Sequence, residues 1–358
     1  MLDNTGIGRY LRNLLIQLAR IDTRNEYIIF MNKANARVVT QENFQFVPLS
    51  IAVPLYSLRE QYWLPLEIRR WALDLFHYPN FDVPLIQACP YLVTIHDLIY
   101  YLYPDQCPSQ AAHYYARFML RSATKHARAI ITDSEYSKQD LIKYFRISEK
   151  KIHVIFPAAD ECATPVRKHI ASQSTYGIVQ PYIFYVGKHH PYKNITTLLH
   201  AYMTHPEIYE NFQLVIAGKQ DMRRKSLYVT AEKLDPRKRI IFTDFVPEEE
   251  LFDLYRGASL FVFPSLYEGF GLPPLEAMAC GVPVITSNAA SLPEVVGDAA
   301  IQVDPLDVRE LADAMQTVLA DATLWNTLRQ KGIKRSQQFS WETAARQLLQ
   351  LYERLKEE

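Results

Sequence analysis

The stretch SLFVFPSLYEGFGLPPLEAMACGVPVITS carries the densest set of groups able to do chemistry. Glu268 and Glu276 stand eight residues apart, around Gly269, Phe270, Gly271 and Leu272. A carboxylate is a strong acceptor for pairs of hydroxyls, and the backbone N–H groups at a helix start are donors for an anion. Together they suit a ligand in which a diphosphate is flanked by polyols. A second stretch, YIFYVGKHHPYKNITTLLHAYM, places Lys188 and Lys193 behind Gly187. Two ammonium groups can neutralise a diphosphate without a metal, and the chain contains no DxD pair to hold magnesium. His189 and His190, adjacent in the same turn, point in different directions and read as bystanders. In the first half, YLVTIHDLIYY brings His96 and Asp97 to a strand end ahead of Tyr100, Tyr101 and Tyr103. A histidine there can orient a sugar hydroxyl, although residue type alone favours a satisfied buried imidazole. Near the amino terminus, Gly6 and Gly8 in MLDNTGIGRYLRNLL read as a glycine turn feeding a helix, a second place for an anion or an acceptor.

These groups need elements to hold them. EYIIFM, LDLFH, YLVTIHD, AIITD and KIHVIF in the first half read as buried strands, as do YIFYVG, FQLVIAG, RIIFTDF, SLFVFPS and VPVITS in the second. They are too apolar for half-exposed antiparallel sheets and fit parallel ones. Segments of helical spacing, such as YYARFMLRSATKHARA and LDVRELADAMQTVLAD, lie between them. Strand and helix alternation, met twice, implies two doubly wound α/β domains. The expected division is 1–165, then 178–339, with a final helix over 340–358 that could lie on either domain. The boundary falls in a weakly periodic, proline-containing stretch, residues 157 to 181.

Composition narrows the classes. The chain has 358 residues and zero formal net charge, so bulk attraction to nucleic acid is not the driving force. No apolar run approaches the length of a membrane-spanning helix, and no signal peptide is evident. Cys89, Cys107, Cys162 and Cys280 lack metal-binding or disulfide spacing, which fits a reduced, cytoplasmic protein. Arg59, Arg69 and Arg70, interleaved with Trp63 and Trp71, offer a basic aromatic face for an anionic membrane, although such tryptophans are more often core. Ser134, directly before a helix in ITDSEYSKQDL, reads as its cap.

EGFGLPPLE resembles the E-x7-E signature of the retaining GT-B glycosyltransferases of family 4, and VGKHHPYKN resembles their phosphate loop. TGIGRY, LVTIHDL, AIITDSEYSK and LPEVVGDAA resemble the same family in the same order. The resemblance implies two Rossmann-like domains facing a cleft, the second holding a nucleotide diphosphate sugar. Glu268 would then hydrogen-bond the hydroxyls of the transferred sugar and Glu276 the ribose. Lys188 and Lys193, with Gly187 and the N–H groups of Gly269 to Leu272, would face the diphosphate. His96 would lie near the donor sugar, with Asp97, Tyr100 and Tyr101 toward the acceptor. Tyr192 stands where the family often has arginine, which removes one phosphate contact.

The expected activity is transfer of a sugar from GDP-mannose or a UDP-sugar to a saccharide or lipid-linked acceptor, in polysaccharide or glycolipid biosynthesis. The configuration is expected to be retained, with no metal or other cofactor, in the cytoplasm or at the inner face of the membrane. The alternative is an inactive scaffold that only binds nucleotide sugar. A dinucleotide-dependent oxidoreductase is excluded because the third glycine of a GxGxxG turn would be Leu11. Family members place a strand directly before TGIGRY, and here only five residues precede Gly6. That shortage predicts a first domain lacking its first strand, Met1 as an internal methionine of a longer protein, and weak activity.

Overall fold

The structure, a computed structural model, describes residues 6–31, 38–49, 57–160, 175–179, 181–221, 223 and 225–357, without the side chain of residue 58. The chain divides into two compact units, Met1–Pro157 with Ser340–Glu358, and Ala158–Phe339. Residues 161–174 and 180, within the expected boundary, lie outside the described residues, as do residues 1–5 and Cys162. The expectations about Met1 and a preceding strand fall there as well.

Unit 1 runs α1 (Gly6–Ile21), β1 (Tyr27–Met31), β2 (Phe44–Pro48), α2 (Leu58–Ile68), β3 (Phe76–Tyr78) and β4 (Tyr91–Thr94). It continues through α3 (Ile99–Leu102), α4 (Gln110–His126), β5 (Ala129–Thr132), α5 (Glu135–Phe145) and β6 (Ile152–Val154). β3, β4, β5 and β6 form a parallel sheet in that order, and β1 and β2 form a separate parallel pair. β4 and β5 are buried along their whole length, which accounts for their nearly continuous apolar sequence. Hydroxyl caps start the helices. Ser109 accepts from the Ala112 amide, and Ser134 from the Ser137 amide at 3.0 Å, as its position before α5 implied.

Unit 2 runs β7 (Tyr182–Val186), α6 (Ile195–Thr204), α7 (Pro206–Asn211), β8 (Gln213–Ala217), α8 (Lys225–Leu234), β9 (Ile240–Asp244), α9 (Glu248–Gly257) and β10 (Leu260–Phe263). It ends with α10 (Leu272–Ala279), β11 (Val284–Ser287), α11 (Leu292–Val296), β12 (Ile301–Val303), α12 (Val308–Ala320) and α13 (Ala322–Ser336). Its six strands are parallel in the order β12, β11, β10, β7, β8, β9. This is a doubly wound sheet whose order reverses between β7 and β10, and the loops after these two strands are where such sheets bind ligands. The last helix, α14 (Trp341–Glu357), belongs to unit 1, where Trp341 packs edge-on against Tyr10 of α1. No described helix is long and apolar enough to cross a membrane.

The ten strands expected from the sequence are present, and two more appear, β2 and β12. One local expectation is corrected. Gly6 and Gly8 do not form a turn before the helix; both lie within the first turn of α1, and neither has the left-handed backbone a tight glycine turn uses. The helix starts there because Tyr10, Leu14 and Leu18 bury one face, which stabilises helical backbone from the first turn onward.

Candidate active site

The loop after β7 and the loop after β10 meet through a charge pair. Lys193 Nζ lies 2.6 Å from Glu268 Oε1, and both residues are buried. The ammonium also sits 5.0 Å from the centre of the Phe263 ring and 5.3 Å from that of Tyr192, so aromatic faces complete its surroundings. Glu268 is therefore not a solvated loop charge. Nor is Glu276 a solvated helix residue: it is 2% exposed and accepts a hydrogen bond from Tyr255 Oη at 2.8 Å. Of the two expected phosphate-facing lysines, Lys193 is committed to Glu268 while Lys188 stands exposed.

Residues outside the expected set fasten these loops. Asn194, with left-handed backbone, donates through Nδ2 to the carbonyls of Pro264 at 3.1 Å and Pro305 at 2.6 Å. One side chain thus ties together the segments after β7, β10 and β12. The Ser291 hydroxyl lies 3.0 Å from the Glu268 carbonyl and 2.7 Å from that of Phe270, fixing the glycine loop from α11. Gly218, at the end of β8, approaches Gly187 so closely that a Cβ would stand 2.0 Å from the Gly187 carbonyl oxygen. Only glycine permits that contact, and it sets the course of the loop bearing Lys188 and Lys193.

Gly271 caps α10 with φ 115°, and Pro273 and Pro274 occupy the first turn, where a missing N–H costs little. A Cβ on Gly271 would lie 2.6 Å from Leu292 Cδ2. Gly271→Ala is therefore expected to destabilise the chain by about 1–3 kcal/mol through backbone strain alone, measured by urea denaturation. An unchanged midpoint would show that the loop relaxes freely.

The histidines of the Lys188 turn pack against neighbouring aromatic rings. His189 is buried, with Nδ1 2.8 Å from Tyr228 Oη, and burial pushes its pKa down against the opposing charges of Asp244 and Asp221. The His190 ring stacks on Tyr192 at 5.7 Å. Tyr192 thus contacts the His190 ring and the Lys193 ammonium, the latter 5.3 Å from its ring centre.

In unit 1, His96 follows β4 and places Nδ1 2.7 Å from Asp133 Oδ2, in the segment after β5. Tyr10 packs edge-on against the ring at 4.9 Å. Burial opposes a charge on His96, but the Asp133 carboxylate and its hydrogen bond, then Asp97, then the Pro79 carbonyl outweigh it, and the pKa is raised. Nε2 makes no hydrogen bond of ordinary geometry among the described residues, although the Pro79 carbonyl lies near enough to favour a proton there. The remaining expected acceptor groups, Asp97, Tyr100 and Tyr101, also have contacts within unit 1. Asp97 Oδ1 accepts from the Ile99 amide at the start of α3. Tyr101 packs on Phe145 and beneath the Arg117 guanidinium, 4.6 Å from its ring centre. Tyr100 is 38% exposed, and its carbonyl faces His113 Nδ1. Trp63 is exposed on α2, whereas Trp71 packs against Phe30. Gly6 and Gly8, being helical, form no loop.

A reversed-order parallel sheet, with a buried carboxylate and ammonium at its switch point and a second carboxylate one helical turn beyond, places a candidate ligand site at the ends of β7 and β10. Residues 173–339 match the family model for group 1 glycosyl transferases, and residues 4–161 match that for glycosyltransferase family 4. The chain is 32% identical to O-antigen chain mannosyltransferase B of Escherichia coli, over 98% of this chain and 96% of that one. The chain belongs to the group 1 glycosyltransferases of family 4. Sucrose-phosphate synthase from Thermosynechococcus elongatus shares the fold with a TM-score of 0.79 and 24% identity, covering 98% of this chain and 94% of that one. Anabaena HepE, in complex with UDP-glucose, gives a TM-score of 0.78 at 18% identity over 99% and 97% of the two chains. The protein is a glycosyltransferase.

Proposed function

We propose that unit 2 holds a nucleotide diphosphate sugar and that the sugar is mannose, carried by GDP. The similarity to an O-antigen chain mannosyltransferase supports the sugar and points to polysaccharide biosynthesis; a UDP-sugar is the competing donor. The acceptor is a saccharide, free or lipid-linked, the latter reached by peripheral contact with a membrane. The observation that carries the reading is the buried Lys193–Glu268 pair at the ends of β7 and β10. Glu268 accepts hydrogen bonds from the hydroxyls of the transferred sugar, and Glu276 from the ribose. Lys188, Lys193 and the N–H groups of Gly269 to Leu272 oppose the charge that grows on the diphosphate as the glycosidic bond breaks. Preorganised donors favour that state over the bound ground state without requiring a metal. In unit 1, the candidate catalytic group is His96.

Retention follows if the bond from the anomeric carbon to phosphate breaks while the acceptor oxygen bonds the same face. The acceptor proton then passes to the departing phosphate oxygen. GDP-mannose at 100 times its dissociation constant is expected to stabilise the protein by about 2.7 kcal/mol, read as a rise in melting temperature, with UDP-glucose giving less. Glu268→Gln should bind donor yet lose transfer to a matched acceptor. Undiminished transfer would remove Glu268 from its assigned role, and donor binding without turnover by the unaltered chain would establish the scaffold alternative.

A further inference from the structure

Glu276, on α10, is 2% exposed, and a carboxylate taken out of water needs donors in place of the water it loses. Tyr255 supplies one: its hydroxyl donates to Glu276 Oε2 at 2.8 Å. The tyrosine lies on α9, 21 residues earlier in the chain, and is itself fully buried. Its ring packs edge-on against Phe184 of β7 at 5.2 Å and tilted against Phe261 of β10 at 5.4 Å. The helix around it is fixed to the same sheet, because Tyr182 Oη of β7 donates to the carbonyl of Leu254, also buried, at 2.7 Å. β7 and β10 are the strands whose end loops carry Lys193 and Glu268. Acting through Tyr255, the same two strands also set the position of Glu276.

A glutamate side chain is long, and its head turns through several orientations unless something holds it. One hydroxyl donated to a carboxylate oxygen removes much of that freedom. It leaves acceptor capacity as well, since an ionised carboxylate offers about four lone-pair sites. Adjacent ribose hydroxyls can both donate to a carboxylate only where its plane is suitably placed. A residue that fixes the plane beforehand raises affinity without adding a contact to the ligand.

We propose that Tyr255 is a positioning residue for ribose recognition, holding the Glu276 carboxylate so that it accepts from the ribose hydroxyls, and that the ribose selectivity of unit 2 depends on it. The proposal rests on the assignment of Glu276 to the ribose. Tyr255 touches no part of the ligand and acts only through the carboxylate. A staple between α9 and α10 with no part in binding would use the same bond; the two differ in what the ribose hydroxyls add to affinity.

The test measures by calorimetry the affinity of the intact protein for GDP and for 2′,3′-dideoxy-GDP, with UDP and its dideoxy form in parallel. The unaltered chain is expected to bind the ribose form about tenfold or more tightly, as hydrogen bonds to a charged acceptor warrant. Tyr255→Phe keeps the ring and removes only the hydroxyl. It should weaken the ribose form about tenfold and leave the dideoxy form unchanged, which also shows that the variant is folded. Glu276→Gln should lose the preference too, and adding Tyr255→Phe to it should change the preference no further, because both act through one carboxylate. Equal weakening of both forms by Tyr255→Phe, or weakening of neither, would reduce the tyrosine to a staple, while loss of preference in Glu276→Gln still upheld the ribose reading. A preference that is absent from the unaltered chain, or that survives Glu276→Gln, would remove Glu276 from the ribose and the role of Tyr255 with it.

Discussion

Lys193→Met is expected to destabilise the protein by about 3–5 kcal/mol, because it leaves the Glu268 carboxylate buried without its cation. The pair is held at 2.6 Å with both side chains about a tenth exposed, so water can replace little of the lost interaction. An exposed pair such as Lys331–Asp298 would contribute a fraction of that. The double variant Lys193→Met, Glu268→Gln should recover most of the stability, since no isolated charge remains, while transfer stays abolished. That split would separate two roles, the ion pair holding the loops after β7 and β10 and the proposed contact of Glu268 with the sugar. Denaturant midpoints and transfer rates for the parent and the two variants decide it. A single variant as stable as the parent would mean that the pair is solvated in solution, and recovery of transfer in the double variant would make the carboxylate purely structural.

The strands were legible where both faces are covered. YLVT, AIIT, QLVIA and LFVF need little beyond their apolar continuity to be read as parallel strands, and the structure buries them fully. β2 and β12 escaped because Gln45, Pro48 and Gln302 interrupt their apolar runs. The candidate site was legible as a set of motifs and illegible as a set of contacts. Lys193 and Glu268 are 75 residues apart in sequence, and no local spacing marks them as partners. Asn194, Ser291 and Gly218 carry no chemistry that a motif would advertise, yet they fix the same loops through carbonyl contacts and close backbone approach. A lone glycine just past a buried strand, as in VIAGKQ, is the one signal that could have pointed to Gly218. The opposite error occurred at Gly6 and Gly8, where glycine spacing suggested a turn and the apolar face of α1 outweighed it.

Asp133→Asn should lower transfer by about 10²-fold, the range removed when a positioned proton donor or acceptor is disturbed. Asp133 was absent from the expected site, being 37 residues from His96, yet its carboxylate holds the imidazole at 2.7 Å. Burial alone would push His96 below its ordinary pKa of 6.5; Asp133 is the largest influence that reverses this. In the variant that influence is lost, and the pKa of the ring falls. The sign of the linked stability follows: a histidine whose folded pKa is raised contributes fully below 6.5, and the contribution is lost as pH rises through the raised value. The parent should therefore exceed Asp133→Asn in stability most at pH near 5 and progressively less toward alkaline pH. Transfer should show the same origin. If the charged ring is the working form, the alkaline limb of the kcat/KM profile moves to lower pH in Asp133→Asn, and Asp133→Glu, which keeps the carboxylate, restores it in part. A merely structural aspartate would reduce both variants' rates without moving either limb, and that outcome would leave Asp133 as a packing residue.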